Sequence, residues 1–105
     1  MDITYRFAEE KDAALILEFI RDLAAYENLS GEVVATEALL REWLFEKRAA
    51  EVLFALAGGK EAGFALFFHN FSTFLGRAGL YLEDLYVRPE YRGRGIGRGL
   101  MKKLA

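Results

Sequence analysis

Residues 81–99 read YLEDLYVRPEYRGRGIGRG, an apolar, strand-like run followed by a loop in which arginine and glycine alternate. A helix-compatible segment, residues 100–104, comes directly after the loop. Four glycines within seven positions let the backbone approach a ligand closely and turn its N–H groups toward one point. The start of a helix adds the positive end of its dipole. The stretch therefore predicts an anion-binding site that suits a phosphate or pyrophosphate group.

Two common phosphate-binding loops do not match this spacing. A P-loop requires a Gly-Lys pair followed by Ser or Thr, and no Gly-Lys pair in the sequence has such a neighbour. A dinucleotide-binding loop would require a third glycine at the position of Arg98. The spacing present is Arg92-x-x-Gly95-x-Gly97, after a strand that ends in Val-x-Pro-x-Tyr.

Two further interpretations of residues 92–99 involve no phosphate ligand. One is a flexible, solvated loop. The other is an RNA-binding arginine–glycine tract, but such a tract would be longer, would not lie between a strand and a helix, and would have stacking aromatic residues interleaved with it. We therefore expect no nucleic-acid partner.

Composition favours one globular domain over residues 1–105, since 53% of the residues are hydrophobic and the net charge is only -2. The absence of cysteine excludes disulfides, thiolate metal sites and a cysteine nucleophile. With a single histidine, His69, we expect no metal site. No apolar run approaches the ~20 residues of a membrane span, and the N-terminus lacks the pattern of a signal peptide. The sequence thus predicts a cytoplasmic protein without a membrane partner.

The charge is divided unevenly along the chain. Residues 88–105 carry six basic side chains and one acidic side chain, a net charge of +5. Residues 1–87 carry eight basic and fifteen acidic side chains, a net charge of -7. A basic end beside an acidic body suits an anionic cofactor next to a cationic substrate, although a chance distribution of surface charge gives the same pattern.

Hydrophobic periodicity predicts one strand and two helices in the first half of the chain. Residues 3–7 alternate apolar and polar side chains, as in a strand with one buried face. Asp12 is predicted to cap a first helix, Ser30-Gly31 to break the chain, and a second helix to run from Thr36. The predicted core positions are Ile16, Phe19, Ile20 and Leu23 in the first helix, and Leu40, Trp43 and Leu44 in the second.

Three strands are predicted next. Residues 52–57 and 62–68 flank Gly58-Gly59-Lys60, a typical hairpin turn. Residues 70–79 are predicted to be a loop, and residues 80–87 the following strand. The resulting order is strand, helix, helix, three strands, helix, which indicates an α/β chain of the α+β type.

The glycine loop and the strand before it closely resemble the coenzyme A signature of the GNAT superfamily of N-acetyltransferases. The resemblance implies the acyl-CoA N-acyltransferase fold with a mixed sheet, and acetyl-CoA as co-substrate. In that family the loop amides hold the pyrophosphate, and the strand lends backbone groups to the pantetheine arm. The implied contacts with acetyl-CoA fall on Leu85, Tyr86, Val87, Arg92, Gly93, Arg94, Gly95, Ile96, Gly97 and Arg98.

Two blocks look like the diamine (spermidine/spermine-type) branch of that family: residues 23–27, LAAYE, and residues 80–84, LYLED. Outside them the similarity, which runs along nearly the whole chain, is at the level of pattern. The branch acts on polyamines and lysine-like amines and is typically dimeric, so it implies a homodimer. Its substrate contacts correspond to Tyr26, Glu27 and Glu83.

Glu83 is also a candidate on chemical grounds. A carboxylate in so apolar a run is unfavourable to bury unless it is paired or used, and acetyl transfer requires a group that positions the amine or accepts its proton. Adjacent residues of a regular strand face opposite sides, so only one of Glu83 and Asp84 would face the substrate unless a bulge intervenes. The alternatives are a salt bridge from Glu83 to Arg77, and a purely helix-ending role for Tyr26 and Glu27.

The resemblance further implies strands and a helix beyond position 105, including a tyrosine that protonates the departing thiolate. We therefore expect the sequence to be the N-terminal part of the fold, ending soon after the start of the loop helix, and assign the general acid to no residue present. The leading hypothesis is an N-acetyltransferase for a small cationic amine, and the alternative is a non-catalytic CoA-binding or assembly module. The sequence does not identify the amine.

Overall fold

The computed structural model describes residues 2–104, which form two compact units. The first unit, residues 2–7 and 50–104, holds the sheet and one helix; the second, Ala8–Ala49, is helical. The strands are β1 (Ile3–Phe7), β2 (Glu51–Ala57), β3 (Lys60–Ser72) and β4 (Arg77–Val87). The α-helices are α1 (Ala13–Tyr26), α2 (Glu37–Leu40) and α3 (Ile96–Leu104). Short 3₁₀ turns span Glu10–Asp12, Ser30–Glu32 and Pro89–Tyr91, and a π-helix spans Arg41–Glu46. The predicted element order and the α+β class are confirmed.

The sheet follows chain order, β1-β2-β3-β4, and its three described pairings are antiparallel. The predicted turn between β2 and β3 is confirmed at Gly58-Gly59, where φ is +58° and +85°. A two-residue hairpin turn with both residues left-handed suits glycine, because side chains rarely adopt that conformation. Lys60 is not part of the turn, since it pairs with Ala57 as the first residue of β3.

The prediction of a loop over residues 70–79 is wrong. β3 continues to Ser72 and β4 begins at Arg77, so the two strands form one long hairpin. Residues of low strand propensity are held by pairing across the hairpin, as where Asn70 lies opposite Gly79. A Cβ at Gly79 would lie only 2.8 Å from the side-chain oxygen of Asn70, so the exposed Asn70 side chain would have to move to admit it.

Helix α3 packs against one face of the sheet through an apolar stripe. Ile96 and Leu100 are 2% and 0% exposed and fall four residues apart on the helix. Fully burying such a side chain stabilises the fold by about 1.5–3 kcal/mol. The other buried members of this cluster are Leu53, Ala55, Ala57, Ala62, Ala65 and Phe67.

β1 comes close to α3 at Tyr5. The Tyr5 hydroxyl lies where a Cβ at position 99 would be, so only glycine fits there with Tyr5 in place. On the same side of the sheet, an apolar groove of about 270 Å³ is lined by Leu80, Leu82, Met101 and Leu104.

In the helical unit, α1 carries the predicted stripe, with Ile16 and Phe19 buried and Ile20 and Leu23 half-buried. Asp12 is the N-cap residue of α1, as predicted, but its side chain makes no capping hydrogen bond to this helix. Its carboxylate instead accepts a hydrogen bond from the Glu9 N–H at 2.7 Å, across the 3₁₀ turn that precedes α1.

The second helix starts as predicted, because the Thr36 hydroxyl accepts a hydrogen bond from the Leu39 N–H at 3.2 Å. Leu40 and Leu44 are buried, but the prediction of a core position for Trp43 is wrong: its side chain is 49% exposed, and Lys47 Nζ lies 4.1 Å from its ring centroid. After Leu40 the chain continues as a π-helix, whose wider turns change the angular spacing of side chains.

Two kinds of feature are absent from residues 2–104. No helix there is both long and apolar enough to cross a membrane. No group of three or more His, Cys, Asp and Glu side chains in the same residues is arranged to hold a metal ion.

Candidate functional site

The glycine loop connects the end of β4 to the start of α3. Gly93 and Gly95 adopt φ of +80° and +77°, which side chains rarely tolerate, and a Cβ on either would meet nothing within 4 Å. These glycines are therefore favoured by backbone conformation, and the space beside them is open. Left-handed residues that alternate with other conformations turn successive N–H groups to one side, as in anion-binding nests.

Helix α3 begins earlier than residues 100–104, the predicted segment. Gly97 and Gly99 lie inside the helix, and the Gly99 N–H donates to the Gly95 carbonyl at 2.9 Å. The N–H groups of Ile96, Gly97 and Arg98 precede the first helical bond and have no acceptor within the helix. There is no acidic side chain in this first turn, so the helix dipole and Arg98 both favour an anion.

The end of β4 offers backbone polar groups on the edge away from β3. The Arg88 N–H donates to the Ala62 carbonyl at 2.8 Å, which fixes the alternation of this antiparallel ladder. The backbone N–H and C=O groups of Tyr86 therefore point toward β3. Those of Leu85 and Val87 point to the outer edge. No strand within residues 2–104 pairs with that edge. Gly97 of α3 lies beside the side chains of Leu85 and Val87, so the edge and the helix start are adjacent.

A β-bulge interrupts β4 at Glu83. Leu66 on β3 pairs with Asp84 and the next residue, Phe67, pairs with Leu82, so Glu83 has no partner across the ladder. The bulge changes the phase of the strand: Leu82 and Leu85, three residues apart, both pack on the α3 side. Asp84, opposite Leu66, is half-buried on the other face. The bulge considered in the sequence analysis thus occurs, and it sets the direction of Glu83.

Glu83 is exposed, so the predicted energetic penalty for burying its carboxylate does not apply. The apolar character of the run misled that argument, because neighbouring Leu80 and Tyr81 are themselves 42% and 49% exposed. The alternative salt bridge to Arg77 is not formed among the described residues. An exposed carboxylate on a bulge is available to a cationic ligand.

Tyr26 and Glu27 lie at the end of α1, in the helical unit, and both are exposed. The helix ends through backbone groups: Asn28 is left-handed with φ of +60°, and the Leu29 N–H donates to the Ala24 carbonyl at 2.7 Å. Their side chains are therefore not needed to end the helix. That they act on one amine together with Glu83 stays a prediction.

Sequence reasoning missed how Arg92 is held. Its Nε donates to the Val87 carbonyl at 2.9 Å, and its guanidinium carbon lies 5.3 Å from the Tyr86 ring centroid. Arg94 lies more loosely over Tyr91, at 5.9 Å. Val87 and Arg92 are five residues apart in the sequence. They come into contact because the 3₁₀ turn between them folds the chain back.

The sequence matches the Acetyltransferase (GNAT) family over residues 16–105. The chain therefore belongs to this acetyltransferase family, as its loop and strand predicted.

Two relatives narrow the comparison. The chain is 42% identical to a thialysine N-epsilon-acetyltransferase of Bos taurus, over 98% of its own length and 65% of that protein. It is 34% identical to the spermidine/spermine N(1)-acetyltransferase-like protein 1 of Homo sapiens, over 95% of its length and 15% of that protein. The chain thus spans less than two thirds of the thialysine enzyme that it matches.

Among solved structures, a predicted acetyltransferase from Clostridium acetobutylicum, determined with acetyl-CoA, superposes with a TM-score of 0.79 at 19% identity. The match covers 98% of this chain and 71% of the other. It confirms the fold.

Proposed function

We propose that the protein transfers the acetyl group of acetyl-CoA to a primary amine of a small cationic substrate, either a polyamine or a lysine-like compound. The observation that carries the proposal is the junction of β4 and α3. Left-handed Gly93 and Gly95 and the open helix start lie next to a strand edge with which no described strand pairs. The names of the relatives, which concern thialysine and spermidine or spermine, support the substrate class.

In this proposal, residues 92–98 hold the pyrophosphate through backbone N–H groups, the helix dipole and the charge of Arg94 and Arg98. The open space beside Gly93 and Gly95 fits this role, because a phosphate must come close to the backbone. Leu85 and Val87 would meet the pantetheine arm along the outer edge of β4. Tyr86, predicted as a third contact, would contribute by fixing the strand, since its backbone is directed toward β3.

The chemical step joins the amine nitrogen to the acetyl carbon and breaks the bond between that carbon and sulfur. An outer-edge N–H of β4, at Leu85 or Val87, would polarise the acetyl carbonyl as charge develops on its oxygen. Glu83 would position the amine and accept its proton, directly or through water. A second proton must reach the departing sulfur, and we assign that donor to no residue of this chain.

Charge supports a cationic substrate. The helical unit, Ala8–Ala49, carries ten acidic and five basic side chains, a net charge of -5. Tyr26 and Glu27 at the end of α1 would contact the amine, with Glu83 as the third contact. A field of this sign attracts polyamines and repels anionic acceptors.

Binding of CoA by calorimetry tests the site. Gly95→Val forces a branched side chain into left-handed backbone at the phosphate and should weaken CoA binding about tenfold, or 1.4 kcal/mol. Gly59→Val is the matched control: Gly59 is also left-handed, with φ of +85° and open space around it, but lies in the β2–β3 turn. CoA affinity that is equal in the two variants would move the site away from the loop.

Thiol release with a panel of amines tests the reaction. The full-length protein should acetylate spermidine and thialysine, whereas NAD and ATP should not compete with CoA. The alternative function, a non-catalytic CoA-binding or assembly module, predicts CoA binding without turnover on any amine. A panel in which only aminoglycosides react would contradict the proposed substrate class.

A homodimer is part of the same proposal and follows from the resemblance to the diamine branch, and a cytoplasmic location is proposed with it. Light scattering on the purified protein measures its mass in solution, and cell fractionation measures its location. A monomer at every concentration tested would contradict the dimer without affecting the proposed chemistry.

A further inference from the structure

We infer that Arg92 is a positioning residue, which holds the start of the glycine loop against the end of β4 by donating to the Val87 carbonyl instead of supplying its charge to the phosphate. This inference rests on the proposed function, because it concerns the same acetyl-CoA site. The evidence is the contact of Arg92 Nε with the Val87 carbonyl oxygen at 2.9 Å.

The contact closes a ring across the turn between strand and loop. Within Pro89–Tyr91, the Tyr91 N–H donates to the Arg88 carbonyl at 2.9 Å, and the Arg92 N–H donates to the Pro89 carbonyl at 3.2 Å. The backbone thus folds back toward β4, and the Arg92 side chain bonds to the end of that strand. Its guanidinium also lies 5.3 Å from the Tyr86 ring, which limits its direction further.

The loop needs this support because its glycines give it little of its own. Gly93 and Gly95 have no atoms within 4 Å of their Cβ positions, and glycine has the greatest backbone freedom of all residues. On the far side, the loop is anchored by Ile96, which is 2% exposed in the α3 cluster. On the near side, the Arg92 bond to Val87 provides the matching anchor.

The anchor also fixes distance between two parts of the proposed site. Val87 directs its carbonyl to the outer edge of β4, the edge that offers the N–H groups of Leu85 and Val87. Arg92 bonds to that same edge, so the phosphate loop and the acetyl-polarising strand are held in one frame. A pyrophosphate and a thioester of one molecule can then be bound without reordering the loop.

Two substitutions separate geometry from charge. Arg92→Gln places an amide nitrogen the same number of bonds from Cα as Arg Nε, so it keeps the donor and removes the charge. Arg92→Lys keeps the charge but puts a carbon at that position and its nitrogen one atom further away. Arg94→Gln is the control for the loss of one loop charge, because Arg94 is exposed in the same loop.

In calorimetry, the affinity of Arg92→Gln for CoA should be within about threefold of wild type and no weaker than that of Arg94→Gln. The affinity of Arg92→Lys should be about tenfold weaker than wild type or more. In the ligand-free protein, ¹⁵N order parameters of Gly93 and Gly95 should fall in Arg92→Lys and stay unchanged in Arg92→Gln. Thermal unfolding checks that each variant is folded.

Three results would overturn the inference: normal CoA binding by Arg92→Lys with loss in Arg92→Gln, equal loss in both variants, or no loss in either. If wild-type protein does not bind CoA, the proposed function fails instead. The order parameters of the ligand-free loop then still decide whether Arg92 positions it, since they require no ligand.

Discussion

Replacing Gly99 with alanine tests how α3 is seated against β1. A Cβ at this position would overlap the Tyr5 hydroxyl and lie 3.2 Å from the Tyr5 ring carbon that carries it. Forcing an extra methyl group into a packed site costs about 1–3 kcal/mol. Against this, alanine is more favourable than glycine inside a helix by about 1 kcal/mol. We therefore expect Gly99→Ala to lower the free energy of unfolding by up to about 2 kcal/mol in the wild-type background.

The Tyr5→Phe background removes the overlapping oxygen and leaves the ring. There the helix preference of alanine should prevail, so that Gly99→Ala becomes neutral or stabilising by up to about 1 kcal/mol. Urea unfolding followed by circular dichroism on the four proteins gives the coupling energy, expected at about 1–3 kcal/mol. A coupling energy of zero would refute the reasoning, because it would show that the hydroxyl does not occupy the space above Gly99.

Two further predictions concern catalysis and the core. Glu83→Gln keeps the shape of the side chain and removes its charge, so it should lower turnover on amines and leave CoA affinity unchanged. The control is Glu46→Gln, which removes the same charge from an exposed side chain in the helical unit. Equal turnover by both variants would contradict the role of Glu83. Leu100→Ala empties a fully buried position and should cost about 2–5 kcal/mol in urea unfolding. Met101→Ala, at a 54% exposed position of the same helix, should change stability little, and a similar loss in both would contradict the described orientation of α3.

Local signals were sufficient wherever one stretch of sequence decides one element. The alternation in residues 3–7 predicted a strand, although Phe7 on its apolar face is 59% exposed. The stripe around Ile16 and the Gly58-Gly59 pair predicted what the structure shows. The loop could be recognised because its backbone conformation at Gly93 and Gly95 excludes most other residues.

The errors arose where contacts between distant residues decide. Residues 70–79 look like a loop by composition, yet pairing between β3 and β4 makes most of them strand. Trp43 has helical spacing from Leu40, but a π-helix turns it outward. The Arg92 contact with Val87 depends on the 3₁₀ turn at Pro89–Tyr91, whose shape no single residue type predicts. Glu83 was identified as a candidate, but its exposure follows from a bulge that depends on the register between two strands.

The bulge at Glu83 makes β4 a strand of two halves with opposite phase. Deleting this one residue would restore regular alternation with every other side chain on its present face, because Leu82 and Leu85 would then lie two residues apart. Keeping Glu83 but pairing it regularly with β3 would instead shift residues 77–82 by one position. Leu80 and Leu82 would then leave the α3 side, and Tyr81, which now stacks with Phe68 at 5.0 Å between ring centroids, would replace them. In sequence alignments of relatives, a gap at this position therefore means a β4 strand without the bulge and with its faces unchanged, whereas a substitution of Glu83 changes only the chemistry presented at the bulge.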